Sequence, residues 1–262
     1  MGAKERQNGI LEWVREQKHV EVEDIAEHFS VTTQTIRRDI NKLCEKGLLR
    51  RRYGGVSLPV TTIDRPTDES RVANLNVKQM MAERVAADIP ENATVSLGVG
   101  SSIEMVARAL IHHKSLRILT NNFNVASALS GNSGIEVIVS GGQYRHKNHD
   151  VVGPEVTNFF SSFVTDFGII STGSMDLENG LMDHDIREAE ASRAIISNTR
   201  TRILVADKNK WTLNANCKVA SFKYVDFFYT DIFPSVHKGK LDESIKVVEC
   251  NQSSSEKTQK DS

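Results

Sequence analysis

The stretch TTQTIRRDINKL, residues 32–43, decides the fold of the N-terminal part of the chain, because it predicts a helix with two opposite faces. At 3.6 residues per turn, its apolar side chains fall on one face and its hydrogen-bonding and basic side chains fall on the other. Thr32 is the expected N-cap of this helix. The apolar face holds Ile36, Ile40, Leu43 and Cys44, and the polar face holds Gln34, Arg37, Arg38 and Asn41.

Such a helix suits the major groove of DNA, because a short polar first turn is followed by arginines one turn later. The alternative is an amphipathic helix whose polar face is only solvated. The preceding sequence favours DNA binding, since residues 4–17 and 22–30 each carry an apolar stripe at helical spacing. Only Ser30 and Val31 separate the second stripe from Thr32, and helices joined so closely predict a helix-turn-helix.

The residues after this helix predict a β-hairpin, or wing. Gly47 ends the helix, and residues 48–52 and 56–58 can pair across a turn at residues 53–55. From Arg37 to Arg52 there are seven basic and two acidic residues, whereas the whole chain has a formal net charge of −1. The positive charge is therefore local, which disfavours a nonspecific, nucleoid-type DNA binder.

These motifs, FSVTTQTIRRDINKL and GLLRRRYGGV, resemble the DNA-binding signature of the DeoR-type bacterial transcriptional repressors, especially the branch of the glycerol-3-phosphate regulon repressor. In that family TIRRD opens the recognition helix, and a histidine precedes the paired glycines of the wing, where this chain has Tyr53. The resemblance implies a winged helix-turn-helix that binds double-stranded operator DNA. The residues expected to contact DNA are Thr33, Gln34, Thr35, Arg37, Arg38, Asn41, Arg51 and Arg52.

Length and composition set the broad class of the protein. A chain of 262 residues has room for a small domain and a larger one with its own core. The three cysteines have no metal-ligand spacing, so we expect a reduced, cytoplasmic protein with no metal and no cofactor. No apolar run is long enough to span a bilayer, so we expect no membrane contact. The predicted divisions are a DNA-binding domain (1–57), a linker (58–76), an effector-sensing domain (77–250) and a flexible tail (251–262).

The second domain is predicted to be α/β. A helix over residues 77–89 is followed by short apolar runs that alternate with amphipathic segments, which indicates a largely parallel sheet covered on both faces. We therefore expect a Rossmann-like open sheet. The strand-like runs are TVSLGV, LRILT, IEVIVS, FGIIS, RILVA, FFYT and IKVVE, and the helix-like segments between them are SIEMVARAL, FNVASAL, PEVTNFF and REAEASRAII.

Residues that follow the predicted strands are suited to a small anionic ligand, because ligands of such sheets bind at the carboxyl ends of the strands. A glycine and two serines opening a helix offer amides and hydroxyls to a phosphate, and asparagines, glycines and a lysine follow other strands. Taken singly, each could be an ordinary turn, helix cap or solvated side chain. The candidates are Gly100, Ser101, Ser102, Asn121, Asn122, Gly141, Gly142, Asp207 and Lys210.

The family resemblance continues through these positions. Its motifs Gly-Thr-Thr, TNN, GG, VGP, GL and D-x-S-K match GSS, TNN, GG, VGP, GL and DKNK here, and it implies a fold similar to sugar-phosphate isomerases and CoA transferases. Glu188 in the matching E-x-x-x-K-R segment joins the expected effector-binding residues. Many relatives carry an aspartate where this chain has Gly98 and a lysine where it has Ser192. These departures imply a different effector or a weakened pocket.

Two functions of different classes follow. The first is a repressor of a carbohydrate or polyol catabolic operon, controlled by a small phosphorylated sugar or polyol and acting as a homo-dimer or tetramer, with no catalytic residues. The alternative is a sugar-phosphate isomerase or deaminase with an appended DNA-binding module, whose acid and base would come from Asp183, His184, Asp185 and Glu188. Because HDIRE also reads as a charged helix start, and because Gly98 replaces an acid, the repressor is preferred.

Overall fold

The structure, a computed structural model, describes residues 3–17, 19–45, 48–52, 55–57 and 68–250. The chain divides into two compact units, Met1–Asp64 and Arg65–Ser262.

The first unit is a winged helix-turn-helix, as the sequence predicted. Its helices are α1 (Ala3–Gln17), α2 (Val22–His28) and α3 (Thr33–Glu45), and its strands are β1 (His19–Glu21), β2 (Arg50–Arg52) and β3 (Gly55–Ser57). β3 pairs antiparallel with both β2 and β1, and β1 was not predicted. The predicted helix end at Gly47, the turn residues Tyr53 and Gly54, and Leu58 lie outside the described residues.

The two faces of α3 have the predicted burial. Ile36, Ile40 and Leu43 are buried in a core shared with α1, α2 and β3. Thr32 caps the helix, since its Oγ1 accepts from the backbone N–H of Thr35 at 3.3 Å. Capping of this kind satisfies one of the donors that a helix start leaves unpaired.

Asp39 is the exception on the buried face of α3, because it is a charged residue that is only 4% exposed. Arg6 of α1 donates to its Oδ2 at 2.7 Å, and Gln7 donates to its Oδ1 at 2.8 Å. Both carboxylate oxygens are therefore paired with α1. Since a buried charge without partners is very costly, these contacts fix the position of α3 against α1.

The second unit begins with α4 (Asp68–Asp88). This helix starts nine residues before the predicted position at residue 77, so residues 68–76 are helical and the predicted linker is too long. The sequence DESRVANLN has no sustained apolar period, which is why the pattern alone did not extend the helix. Residues 58–67, and the predicted tail from residue 251, lie outside the described part of the chain.

A parallel seven-stranded sheet forms the centre of the second unit, which confirms the predicted open α/β sheet. In sequence order its strands are β4 (Thr94–Leu97), β5 (Leu116–Thr120), β6 (Ile135–Val139), β9 (Thr165–Ile170), β12 (Thr199–Val205), β14 (Phe227–Thr230) and β15 (Lys246–Glu249). In space the order is β15-β14-β12-β9-β4-β5-β6, and every pairing is parallel. The strand order therefore reverses between β4 and β9, which makes this pair the topological switch point.

Helices cover both faces of this sheet. They are α4 with α5 (Ser101–Leu110) and α6 (Phe123–Leu129) on one side, and α7 (Pro154–Ser161) with α8 (Ile186–Ser197) on the other. Successive strand residues alternate between the two cores: Ile169 packs with the first and Ile170 with the second. Burial of both faces explains why the strands read as continuous apolar runs. Among the described helices, none has the length and apolarity needed to cross a membrane.

Two small antiparallel arrangements were not predicted. One is the hairpin of β7 (Gln143–Arg145) and β8 (Asp150–Val152), and the other is the three-stranded sheet of β10 (Ser174–Asp176), β11 (Gly180–Asp183) and β13 (Cys217–Ala220). Both follow strands of the central sheet at their carboxyl ends. They therefore lie beside the predicted ligand site.

Replacing Asp39 with alanine is expected to destabilise the first unit by about 3 kcal/mol, because the buried guanidinium of Arg6 would lose its partner. Hydrogen–deuterium exchange of the full chain measures this effect: peptides from α1 and α3 should lose protection, and peptides from β4 and β9 should not. The matched control is Asp24→Ala, at an exposed position of α2. Unchanged protection of α3 in the Asp39 variant would show that the pair does not hold the unit together.

Candidate functional site

The exposed face of α3 carries the residues predicted to contact DNA. Five of them are exposed: Thr33, Gln34, Arg37, Arg38 and Asn41. Thr35 is half-buried, and its hydroxyl lies 3.0 Å from that of Thr32. This face presents two guanidinium groups and two side-chain amides without any apolar interruption. Arginine and glutamine of this kind can form paired hydrogen bonds to guanine and adenine edges.

The wing is joined to α3 by a side-chain hydrogen bond. Nη2 of Arg51, on β2, donates to Oδ1 of Asn41. The amide of Asn41 therefore orients the wing arginine in addition to facing outward. The side chain of Arg52, which was also predicted to contact DNA, lies outside the described part of the chain.

The switch point of the second unit is lined by a helix start. Gly100 is the N-cap of α5 and has a φ of +110°, a conformation that L side chains rarely adopt. A Cβ at this position would lie 3.7 Å from Cβ of Ser171, the residue that follows β9. The start of α5 thus borders the crevice between β4 and β9.

The first turn of α5 presents backbone donors to this crevice. The N–H groups of Ile103 and Glu104 donate to the carbonyl of Gly100 at 3.0 and 3.1 Å, and these are the first hydrogen bonds of the helix. The N–H groups of Ser101 and Ser102 come before them, at the start of the helix, where N–H groups have no partner within the helix. Ser101 is exposed and its Oγ accepts from Lys78 at 2.9 Å, whereas Ser102 is buried. Backbone donors, a hydroxyl and an ammonium together favour an anion.

Three of the predicted effector residues instead hold the β7–β8 hairpin and α6. Nδ2 of Asn121 donates to the carbonyl of Val151 at 2.8 Å, and Asn122 caps α6 by accepting from Asn124 at 2.8 Å. A Cβ on Gly142 would lie 2.9 Å from the carbonyl oxygen of Val152, so this glycine allows the close approach of β8. The described contacts of Asn121, Asn122 and Gly142 are therefore with the protein itself.

The remaining predicted residues are placed differently. Asp207 is 3% exposed and caps the 3₁₀ helix Lys208–Trp211, where its Oδ1 accepts from Asn209 at 2.9 Å. Gly141 has open space where a side chain would be. Oδ1 of Asn121 and Oγ of Ser140, which follow β5 and β6, are buried and have no hydrogen-bond partner within the described residues. Unpaired buried polar atoms are uncommon and often mark a functional site.

Arg145 forms an ionic cluster that the sequence did not predict. Its guanidinium pairs with Asp150 of the same hairpin, with Asp185 at 3.1 Å, and with Glu188 of α8 at 2.6 Å. Asn148 also donates to Glu188, at 3.1 Å. Burial alone would lower the pKa of Arg145, but the hydrogen bond that it donates to Asp150 and the charges of Glu188 and Asp150 raise it. The partners are five to 43 residues apart, and QYRHKNHD has no period that could reveal them.

Asp183 lies at the end of β11 and is 7% exposed. Burial and the neighbouring charge of Glu188 raise the pKa of its carboxyl to about 7, while the backbone N–H of His184 and the charges of Lys210 and Arg145 act in the opposite direction. A Cβ on Gly173 would lie 3.1 Å from Oδ1 of Asp183. The glycine therefore allows the chain after β9 to pack closely against this carboxyl.

The structure thus brings the start of α5, Asp183, Glu188 and Lys210 to the carboxyl edge of the sheet around the switch point. The two positions that depart from the family pattern are Gly98 and Ser192. Gly98 is buried, and a Cβ at this position would lie 3.4 Å from Cδ1 of Ile195 on α8. Ser192 lies on the same helix, one turn before Ile195. Both departures consequently lie at the contact between α8 and the sheet.

A separate cavity of about 250 Å³, lined by Arg84, Asp88 and Tyr229 among others, lies beside α4 and away from this edge.

Two family models match the chain. Residues 73–232 match the DeoR C terminal sensor domain, and residues 6–62 match the DeoR-like helix-turn-helix domain. The first match covers the whole switch-point region, and the second covers α3 and the wing.

Curated relatives match along most of their length. The glycerol-3-phosphate regulon repressor of Escherichia coli K12 is 39% identical over 88% of this chain and 92% of its own. The HTH-type transcriptional repressor CsqR of the same organism is 33% identical over 91% and 92% of the two chains. The transcriptional repressor AccR of Agrobacterium fabrum is 32% identical over 87% and 89%.

Solved structures resemble the chain only distantly. Ribose 5-phosphate isomerase A of Methanocaldococcus jannaschii is 11% identical, with a TM-score of 0.40 over 53% of this chain and 55% of that one. The translation initiation factor eIF-2B of Pyrococcus horikoshii is 13% identical, with a TM-score of 0.43 over 86% of each chain. These likenesses concern the fold and not the function.

The raised pKa of Asp183 predicts a pH-dependent stability. Between its ordinary pKa near 4 in the unfolded chain and about 7 in the folded protein, the folded state binds more protons, so the free energy of unfolding falls as the pH rises through this window. Asp183→Asn should remove this contribution, so the variant should lose less stability than the parent between pH 5 and pH 8. Urea unfolding at both pH values, with Glu190→Gln on the exposed side of α8 as control, measures the difference. Identical pH profiles of parent and Asp183 variant would contradict the assignment.

Proposed function

The chain belongs to the DeoR family, and on that premise we propose that it represses a carbohydrate or polyol catabolic operon under the control of a phosphorylated sugar or polyol. That it is a DNA-binding transcriptional repressor follows from the matches of both family models and from relatives that are named repressors. The operon, the effector and the residue roles are our proposal.

The observation that carries the proposal is the separation of the two faces of α3. Ile36, Ile40 and the paired Asp39 hold one face inside the core, and the opposite face is left to hydrogen-bonding and basic side chains. Thr33 and Gln34 in the first turn contact base edges in the major groove. Arg37 and Arg38 form bidentate hydrogen bonds to guanine or contact phosphate groups. Arg51, held by Asn41, contacts the DNA backbone or minor groove from the wing.

A phosphorylated effector is supported by the crevice at the switch point. The start of α5 offers backbone donors and Ser101, with Lys78 bonded to its hydroxyl, and Lys210 supplies a second ammonium near the same edge. Lys210 forms no ion pair with any side chain that the structure describes. A relative named for glycerol 3-phosphate points to the same class of ligand. Effector binding here would favour one of two states of the protein and so change its affinity for the operator.

We propose further that the protein has no enzymatic activity. An isomerase or deaminase needs a carboxylate that can take a proton from a sugar carbon. Glu188, the candidate on α8, is instead engaged by Arg145 at 2.6 Å and by Asn148 at 3.1 Å. This arrangement supports a binding role for the carboxylate.

A homo-dimer or tetramer acting in the cytoplasm completes the proposal. One small winged helix contacts few bases, and two-fold pairing doubles both the contacts and the DNA surface that is buried. The second unit is the expected place of the subunit contact. A cytoplasmic location follows from the role of a repressor that meets both its operator and a metabolite.

Arg37→Ala is expected to weaken operator binding by about 1 to 3 kcal/mol, because a bidentate contact to a base or a phosphate contact is lost. The probe is a DNA fragment that the parent protein selects from a random-sequence pool, titrated in a mobility-shift experiment at fixed salt. Arg108→Ala, at an exposed position of α5, is the control for the loss of a single positive charge. Equal affinity of the Arg37 variant and the parent would remove this residue from the DNA interface.

Lys210→Ala is expected to weaken binding of the effector about ten- to hundredfold, because a charged hydrogen bond to phosphate contributes about 1.5–3 kcal/mol. A panel of sugar and polyol phosphates should raise the melting temperature of the full chain, and the alanine variant should need correspondingly higher concentrations. Lys208→Ala, at an exposed position of the same 3₁₀ helix, is the matched control. A panel response that is the same in parent and Lys210 variant would place the phosphate elsewhere.

A further inference from the structure

The central sheet is covered unevenly on its two faces. The connections that follow β9, β12 and β14 all pass over the face that α7 and α8 cover, because their apolar residues, such as Leu181, Trp211 and Phe233, belong to that core. The opposite face of these strands meets the last turns of α4, where Arg84 and Asp88 border the cavity of about 250 Å³. Since strands of a parallel sheet are normally buried on both faces, the sheet beyond this helix end lacks a covering layer.

The uncovered area, here called the open face, has an apolar centre. Its residues line the cavity and come from four neighbouring strands: Phe167 of β9, Thr201 of β12, Phe227 of β14, and Lys246 and Val248 of β15. Lys246 is exposed and the other four are half-buried. Aromatic and aliphatic side chains surrounded by charged ones are the usual composition of a contact between protein chains.

The border of the open face carries both signs of charge. Arg84 pairs with Asp88 at 3.2 Å, and their side chains are 57% and 38% exposed. Nζ of Lys246 lies 5.5 Å from the centre of the Phe227 ring and forms no ion pair with any side chain that the structure describes. A surface with both signs can pack on a copy of itself, because the cations of one copy can lie opposite the carboxylate of the other.

The neighbouring parts of the same chain are poorly suited to cover the open face. The residues after Cys250, NQSSSEKTQKDS, include no apolar side chain that could pack on the phenylalanines. The segment before α4 joins that helix at Asp68, and the helix rises about 24 Å from there to Arg84. A second copy, in contrast, supplies an apolar surface and charges of both signs, and a repressor with one small winged helix per chain needs a second copy to bind DNA selectively.

We propose that the open face is the contact between two copies of the chain, which pack sheet against sheet about a two-fold axis near the cavity. This assignment rests on the proposed homo-oligomer and names the surface that forms it. Each of the five residues of the open face is among the first three residues of its strand. The contact therefore lies towards the amino ends of the strands and leaves the crevice at the carboxyl edge accessible.

Sedimentation of the full chain at micromolar concentration tests the proposal. The parent should sediment as a dimer or tetramer of the 29.2 kDa chain, and Thr201→Arg should sediment with half the mass of the parent. A two-fold contact contains the new charge twice, so we expect association to weaken about hundredfold or more. In the separated chain the arginine extends from the open face into solvent. Thr157→Arg, at a half-buried position of α7 on the other side of the sheet, is the matched control and should sediment as the parent does.

A mixing experiment separates a lost contact from a lost fold. Thr201→Glu alone should also sediment with half the mass of the parent. An equal mixture of the Thr201→Arg and Thr201→Glu chains should recover the mass of the parent, because opposite charges then meet across the contact. Phe227→Asp provides a second test in the apolar centre, with Tyr224→Asp, at an aromatic residue that is 47% exposed and outside the open face, as its control.

The outcomes separate the two levels of the proposal. If the parent sediments at 29.2 kDa while bound to its selected DNA as a single chain, the proposed homo-oligomer fails and this assignment fails with it. If the parent is an oligomer but the Thr201 and Phe227 variants keep its mass, the homo-oligomer stands and its contact lies on another surface. Thermal melting establishes that each variant is folded, and a folded variant at either position is sufficient for the comparison.

Discussion

The parallel pairing of β4 with β9 is the constraint on which the second unit depends. Because the chain runs outward from β4 through β5 and β6, and then returns to pair β9 with the other side of β4, the connections on the two sides of this pair diverge. A crevice at the carboxyl edge is the unavoidable result. The helix start at Gly100 opens on one side of it, and the β10–β11 hairpin folds over the other.

In the first unit, the buried contacts of α3 determine which of its side chains are exposed. The outward face of α3 is defined by Ile36 and Ile40, but its rotation against α1 is set by the pairing of Asp39 with Arg6 and Gln7. Apolar packing tolerates small rotations better than a buried carboxylate does, because the carboxylate must keep its hydrogen bonds. A buried acid thus determines where the exposed arginines of the same helix point.

The elements that the sequence predicted correctly are those whose pattern is repeated and local. The helical period of residues 32–43 and the seven apolar runs each contain several matching residues, and all appear in the structure. The β7–β8 hairpin and the small sheet of β10, β11 and β13 have strands of only three or four residues, which are stabilised by distant partners and leave no period. Arg145 was missed for the same reason. Asp39 could have been recognised, since it falls between Ile36 and Leu43 on the apolar face.

The β7–β8 hairpin joins the two sides of the crevice. On one side Asn121, after β5, holds the carbonyl of Val151, and on the other Arg145 holds Glu188 of α8. The walls of the crevice are therefore connected before any ligand arrives, and little conformational freedom remains to be lost when one binds. When a small molecule binds in such a site, little of its interaction free energy is offset by ordering of the protein. The net binding free energy is what can shift the protein between states of different DNA affinity.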